Sequence, residues 1–187
     1  MPERRAKGVS RVLISENEVQ QRIGEIAREL DAIYDADVPL LVGVLNGAVV
    51  FMSDLMRAMT IPVQIDFMAV SSYGDATSST GVVQIVKDLS RSIEGRRVIV
   101  VEDIVDSGLT LQYLLDVLYR RNPEDIRVVA LLKKSKPDSI VVQADHIGFD
   151  IPDEFVIGYG LDYAGKYRNL PYVAVLDDSA ISATLGG

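Results

Sequence analysis

The sequence predicts an α/β fold, a mostly parallel sheet flanked by helices, and three features of the chain predict it. Short apolar runs of strand length alternate with stretches whose apolar residues recur at helical spacing, the pattern of a sheet wrapped on both faces. Two of the runs, 98–101 (VIVV) and 126–132 (IRVVALL), are apolar over nearly their whole length, as buried strands are. Small or charged residues cluster where three runs end, at Asn46-Gly47, Glu102-Asp103 and Lys134. In open α/β sheets ligands lie beyond the carboxyl ends of the strands, so the pattern that predicts the fold also places a site. The 187 residues suffice for one domain with a sizeable core, and neither an internal repeat nor a linker divides 1–187.

Taken in order, residues 1–14 begin polar and basic and read as a loose arm. Ser15 and Glu18 then supply the S-x-x-E of a capping box, which satisfies free N–H groups at a helix start. Val19, Ile23, Ile26, Leu30 and Ile33 follow as one helical face, the pattern of a packing helix. Pro39 opens a buried strand, 40–45, that the Asn46-Gly47 turn interrupts. A helical stretch with Val50, Leu55 and Met59 closes at Thr60-Ile61-Pro62. Residues 63–70 alternate, Val63, Ile65 and Phe67 against Gln64, Asp66 and Met68, with the period of a half-buried strand. The segment 71–81, SSYGDATSSTG, is small and polar between two strand-like runs, 63–70 and 82–86. A long hairpin or mobile lid has that composition, and so does a loop without a role. Beyond 98–101, a helix carrying Leu111, Leu114, Leu115 and Leu118 is broken by Asn122-Pro123. The strand 126–132 ends in Lys133 and Lys134, and strand-like pieces follow at 140–142, 155–157 and 172–176.

Charge and composition narrow the function. The net charge of −8 argues against general affinity for nucleic acid or anionic membrane. The absence of cysteine rules out disulfides and thiolate metal sites and agrees with a reducing, cytoplasmic setting. No apolar run reaches membrane-spanning length, and MPERRAKGVS lacks the apolar core of a signal peptide. An acidic protein still binds an anionic small molecule where loop amides and a metal ion supply the positive field.

Residues 98–110, VIVVEDIVDSGLT, carry the most chemistry. A buried strand ends in Glu102 and Asp103; Asp106 and the small loop Ser107-Gly108 then open a helix. Backbone N–H groups at a helix N-terminus suit a phosphate, and the acids beside them suit hydroxyls, a magnesium ion or a proton. A ligand with a ribose, a phosphate and a metal satisfies both halves.

VIVVEDIVDSGLTL resembles the phosphoribosyl-diphosphate-binding signature of the type I phosphoribosyltransferases. FDIPDEFVIGYGLDYAGKYRNLPYVAVL resembles the C-terminal part of their hypoxanthine-guanine members, and the similarity runs from about Leu41 to Leu176. The resemblance implies the fold of that family, with a small hood built from the terminal segments over the sheet. It implies transfer of the 5-phosphoribosyl group from phosphoribosyl diphosphate to hypoxanthine or guanine, Mg2+ as cofactor, and a homodimer or homotetramer.

The same resemblance distributes roles. Asp106 through Thr110 cradle the 5′-phosphate, with the hydroxyls of Ser107 and Thr110, and Gly108 lets the backbone approach without a Cβ. Many relatives carry a basic residue at the position of Leu109, so here the amides bear more of the phosphate. Glu102 and Asp103 take the ribose hydroxyls, directly or through hydrated magnesium, and Asp162 serves a second magnesium. Asp106 matches the general base facing the imidazole part of the purine, although aspartate in that position also suits a helix N-cap. Lys134 donates to the exocyclic oxygen at purine position 6, Phe155 stacks on the ring, and Val156 contacts its edge. Read alone, Phe155 and Val156 are core residues, and Asp162 and Arg168 are solvated loop charges. The resemblance assigns Arg168 and the Asn46-Gly47 turn to diphosphate; Asn46 stands where many relatives have lysine, in a loop of unusual peptide geometry. Ser72 and Tyr73 match the start of the family's mobile loop, whose closure excludes water. The single histidine, His146, falls in a loop with no catalytic role. Two other readings stand beside this one: an enzyme preferring xanthine, and a regulatory protein that senses phosphoribosyl diphosphate while gripping RNA or DNA. The acidic charge opposes the latter.

Overall fold

The computed structural model describes residues 6, 8–73, 82–136 and 144–177. The chain runs β1 (Val9–Ile14), α1 (Glu16–Ile33), β2 (Leu40–Leu45), α2 (Ala48–Ala58), β3 (Gln64–Tyr73), β4 (Val82–Lys87), β5 (Arg97–Val105), α3 (Leu109–Tyr119), β6 (Asp125–Lys134), β7 (His146–Ile151), β8 (Val156–Ile157) and β9 (Val173–Leu176). Six strands form one sheet in the order β4-β3-β2-β5-β6-β7, and every neighbouring pair is parallel except the β3–β4 pair. A second, three-stranded sheet, β1-β9-β8, is the hood, and both ends of the chain contribute to it.

The uninterrupted apolar runs follow from burial on both faces. Ile99 and Val101 pack with Ile23, Ile26, Phe51 and Leu55 of α1 and α2, whereas Val98 and Val100 pack with Leu111, Leu114 and Leu118 of α3. Each such side chain contributes roughly 1.5–3 kcal/mol by leaving water. Truncating Ile99, fully buried at 0% exposure, to alanine would cost about 2–5 kcal/mol. From β2 the chain continues to β3 on one side, while β5 lies on the other, so the strand order reverses between β2 and β5. The crevice above that reversal is where such sheets hold ligands.

The capping box forms as expected: Ser15 Oγ accepts from the Glu18 amide at 3.4 Å, and the Ser15 amide donates to Glu18 Oε2 at 2.9 Å. Other expectations are corrected. Residues 9–14 are not a loose arm but strand β1, paired antiparallel with β9 from Val9↔Leu176 to Ile14↔Val173. The partner lies at the far end of the chain, so local composition does not show it. Ile33 leaves the α1 core face, at 37% exposed, and Tyr34 takes its place at 1%. In β3, Phe67 packs toward α1 and α2 and Met68 toward α3, while Ile65 faces solvent at 47%. The strand is therefore covered on both faces near its end rather than on one face throughout. His146 opens β7, a strand the sequence reading missed, and its Nδ1 lies 2.8 Å from Glu29 Oε2 of α1. The strand-like piece 140–142 and residues 74–81 of the expected lid lie outside the described residues. No helix among the described residues is long and apolar enough to cross a membrane.

Candidate active site

Strand β5 delivers its two acids in opposite directions, because successive strand residues face opposite sides. Glu102 is buried at 6% exposure, and burial, then the neighbouring Asp103 charge, raises its pKa well above the carboxylate range. Burial also pushes Asp103 up, to about 6, against the Ile104 amide, which donates to its Oδ1 at 2.8 Å, and against the positive Arg168. Asp162 adds to the upward push. Both carboxyl groups are therefore costly to ionise where they stand.

The helix that follows begins at Leu109, and its N-cap is Gly108 in the left-handed region at φ 81. That settles the alternative for Asp106, which does not cap α3. No acid occupies the first turn of α3, where helix amides lack intrahelical acceptors. Ser107 Oγ accepts from the Leu109 amide at 3.5 Å, and the Leu109 side chain is 54% exposed, away from the core. A cavity of about 300 Å³ opens over this turn, lined among others by Gly47, Asp103, Asp106, Ser107, Gly108 and Thr110.

Asp106 faces two lysines at the end of β6. Lys134 Nζ lies 3.4 Å from Asp106 Oδ2 and 3.3 Å from Asp153 Oδ1. Lys136 Nζ lies 2.5 Å from Asp106 Oδ1 and 3.2 Å from Asp153 Oδ1, and these partners raise its pKa. A second cavity, about 180 Å³, is lined among others by Asp103, Asp106, Lys134, Phe155, Val156, Asp162 and Arg168. Val156 is buried at 6%, but Phe155 presents its ring at 46% exposure, edge-on to Tyr163 at 5.5 Å and 83°. The two cavities share Asp103, Ile104 and Asp106.

The turn after β2 closes the third side. The Leu45–Asn46 peptide is cis, and Asn46 is exposed. Gly47 lies so close to Asp103 that a Cβ there would fall 1.5 Å from Oδ2. Gly160, at φ 97, lies in turn against the Gly47 carbonyl, where a Cβ would stand 2.1 Å from the oxygen. Arg168 is tied to this loop: Nη1 donates to the Gly160 carbonyl at 2.6 Å and Nη2 pairs with Asp162 Oδ1 at 2.7 Å. Asp162 Oδ2 accepts from the Gly165 amide at 2.8 Å.

The structure thus gathers Gly47, Glu102, Asp103, Asp106, Ser107, Gly108, Thr110, Lys134, Phe155, Val156, Asp162 and Arg168 around two joined cavities. Ser72 and Tyr73 close β3, whose Val70 lines the first cavity, but their side chains lie outside the described residues. Among the described residues no three acidic, histidine or cysteine side chains close around a metal-sized point. Sequence reading missed Lys136, Asp153, Gly160 and Tyr163. Lys136 follows Lys134 by two positions and Gly160 stands in GYG, so both signals were present in the chain.

Residues 13–164 match the family model of the phosphoribosyl transferase domain. The chain belongs to the phosphoribosyl transferase family. Over 168 residues it is 49% identical to the hypoxanthine-guanine phosphoribosyltransferase of Bacillus subtilis, covering 90% of this chain and 93% of that one. It is 51% identical to the bifunctional protein TilS/HprT of Listeria innocua, again over 90% of this chain, but it spans only 26% of that protein's length. Among solved phosphoribosyl transferases, a hypoxanthine phosphoribosyltransferase variant from Trypanosoma cruzi, complexed with the product IMP, superposes with a TM-score of 0.91. That protein is 36% identical, and the match covers 98% of each chain. The likeness therefore extends through the hood as well as the sheet.

Proposed function

We propose that the protein moves the 5-phosphoribosyl group from phosphoribosyl diphosphate to hypoxanthine or guanine, giving IMP or GMP and diphosphate. The observation that carries this reading is the pair of cavities that meet at Asp103, Ile104 and Asp106, one beside a helix N-terminus and the other beside a lysine and an exposed phenylalanine. The near end-to-end match to the B. subtilis enzyme supports the same substrates.

The first cavity takes the sugar phosphate. The amides opening α3, with Ser107 and Thr110, hold the 5′-phosphate through the helix dipole and oriented N–H groups. Glu102 and Asp103 accept hydrogen bonds from the ribose hydroxyls. The second cavity takes the base. Phe155 offers a ring face, and Lys134 donates to an oxygen at purine position 6; an amino group there would set donor against donor. Asp106, at the junction, receives the proton that the imidazole nitrogen gives up as it bonds to the sugar carbon. Arg168 and the Asn46-Gly47 amides neutralise the departing diphosphate.

The acids fit a divalent cation. Asp103 is held near pKa 6 by burial, with Asp162 adding to the shift, and a cation relieves that cost. Mg2+ keeps most of its ligands as water and substrate oxygens, which agrees with one or two carboxylates rather than a closed protein cage. Magnesium would neutralise the diphosphate as it leaves. Assembly as a homodimer or homotetramer and a cytoplasmic location belong to the same proposal; light scattering checks the first.

The test is to mix the protein with phosphoribosyl diphosphate, Mg2+ and, separately, hypoxanthine, guanine, xanthine, adenine and uracil, and to measure nucleotide and diphosphate. Hypoxanthine and guanine should react and adenine and uracil should not. Failure of every 6-oxopurine with folded protein would sink the proposal, and a preference for xanthine would revise its acceptor.

A further inference from the structure

The loop that carries Asp162 and Arg168 has a backbone that needs an anchor. Gly158, Tyr159 and Gly160 are three consecutive left-handed residues, at φ 91, 49 and 97. Glycine adopts such angles freely, but a bulky side chain does so at a cost. Tyr159 is nevertheless 2% exposed, in the apolar cluster of α1 and α2. Its hydroxyl donates to Asp54 Oδ2 at 2.5 Å and accepts from Gln20 Nε2 at 3.3 Å, and Gln20 donates to the same Asp54 oxygen at 2.9 Å. Arg57 lies 3.7 Å from the other Asp54 oxygen. Burial and the Asp54 carboxylate push the tyrosine pKa far up, so the hydroxyl remains a donor.

Asp54 stands on α2, about two turns beyond Gly47 at the N-terminus of that helix. Helix and loop are joined twice: Gly160 lies on the Gly47 carbonyl, and Tyr159 reaches back to Asp54. Arg168 is fastened to the Gly160 carbonyl, so a shift at 159–160 moves its guanidinium too. Gln20, Asp54 and Tyr159 line neither cavity.

We propose that Gln20, Asp54 and Tyr159 form a clamp that positions the diphosphate half of the site by holding the Gly160–Arg168 loop against the Gly47 turn. The clamp rests on the phosphoribosyl-transfer reading above, which assigns that half to the leaving group. These are positioning residues, because they act through Gly47, Gly160 and Arg168.

Tyr159→Phe keeps the buried ring and deletes the hydroxyl; Asp54→Ala deletes its acceptor, and Asp54→Asn restores an oxygen there. The readouts are KM for phosphoribosyl diphosphate, KM for hypoxanthine, melting temperature, and the Kd of inorganic diphosphate with Mg2+ by calorimetry. Tyr159→Phe and Asp54→Ala should raise the diphosphate Kd and the KM for phosphoribosyl diphosphate about tenfold, as loss of a hydrogen bond to a charged group implies, and leave the hypoxanthine KM within about twofold. Asp54→Asn should recover most of the loss. Unchanged diphosphate affinity in Tyr159→Phe overturns the clamp, and so does an equal loss for both substrates that tracks the melting temperature. If the wild type turns over no 6-oxopurine, the transferase reading fails alone, and the diphosphate titration still decides the clamp. A wild type that binds no diphosphate overturns both.

Discussion

The Gly47 backbone lies against the Asp103 carboxylate, with room for a hydrogen and none for a methyl group: a Cβ would meet Oδ2 at 1.5 Å. This contact locks the turn after β2 to the acid at the end of β5, across the point where the strand order reverses. Gly47→Ala should therefore lower kcat/KM for phosphoribosyl diphosphate by at least about a hundredfold, since a misplacement of about 1 Å costs that much. The buried apolar layers do not depend on this contact, so far-ultraviolet circular dichroism should stay native. Near-normal kinetics would show that the turn moves away without loss.

Asp103 gives the site a pH signature. Its folded pKa, about 6, is raised above the ordinary value of about 3.9, so its favourable contribution is complete below pH ~4 and is lost as pH rises through ~6. In metal-free protein, Asp103→Asn should thus be more stable than wild type at pH 8 by on the order of 1–3 kcal/mol. The difference should shrink between pH ~6 and ~4. Urea melts across this range measure it, and a pH-independent difference would contradict the burial of that charge.

Lys134 is held between Asp106 and Asp153 at 3.4 and 3.3 Å, and the proposed function sets its ammonium against the base oxygen. Lys134→Ala should raise the KM for hypoxanthine roughly 10- to 100-fold, the value of a charged hydrogen bond, and leave the KM for phosphoribosyl diphosphate within about threefold. Equal effects on both substrates would place the lysine in the scaffold rather than at the base.

Much of this arrangement was legible in the chain, and the illegible parts share a cause. The apolar runs 40–45, 98–101 and 126–132 declared the central strands because both their faces are buried. Glu102, Asp103 and Asp106 were visible because strand end, acids and helix start are contiguous. β1 was not visible, since its partner β9 lies at the other end of the chain, and neither was the orientation of β3, where the cover on each face changes along the strand. Lys136 and Asp153 acquire meaning only when β6 and the loop before β8 bring them to Asp106. Gly160 acquires it only against Gly47.

The junction of the two cavities at Asp106 is most directly tested by Asp106→Asn. The substitution keeps the size of the side chain and removes its capacity to take a proton. Single-turnover formation of IMP should fall by roughly a hundredfold or more, the usual worth of a general base, while binding of phosphoribosyl diphosphate stays within about threefold. Equal losses in turnover and binding would contradict the account and make Asp106 part of the phosphate loop alone.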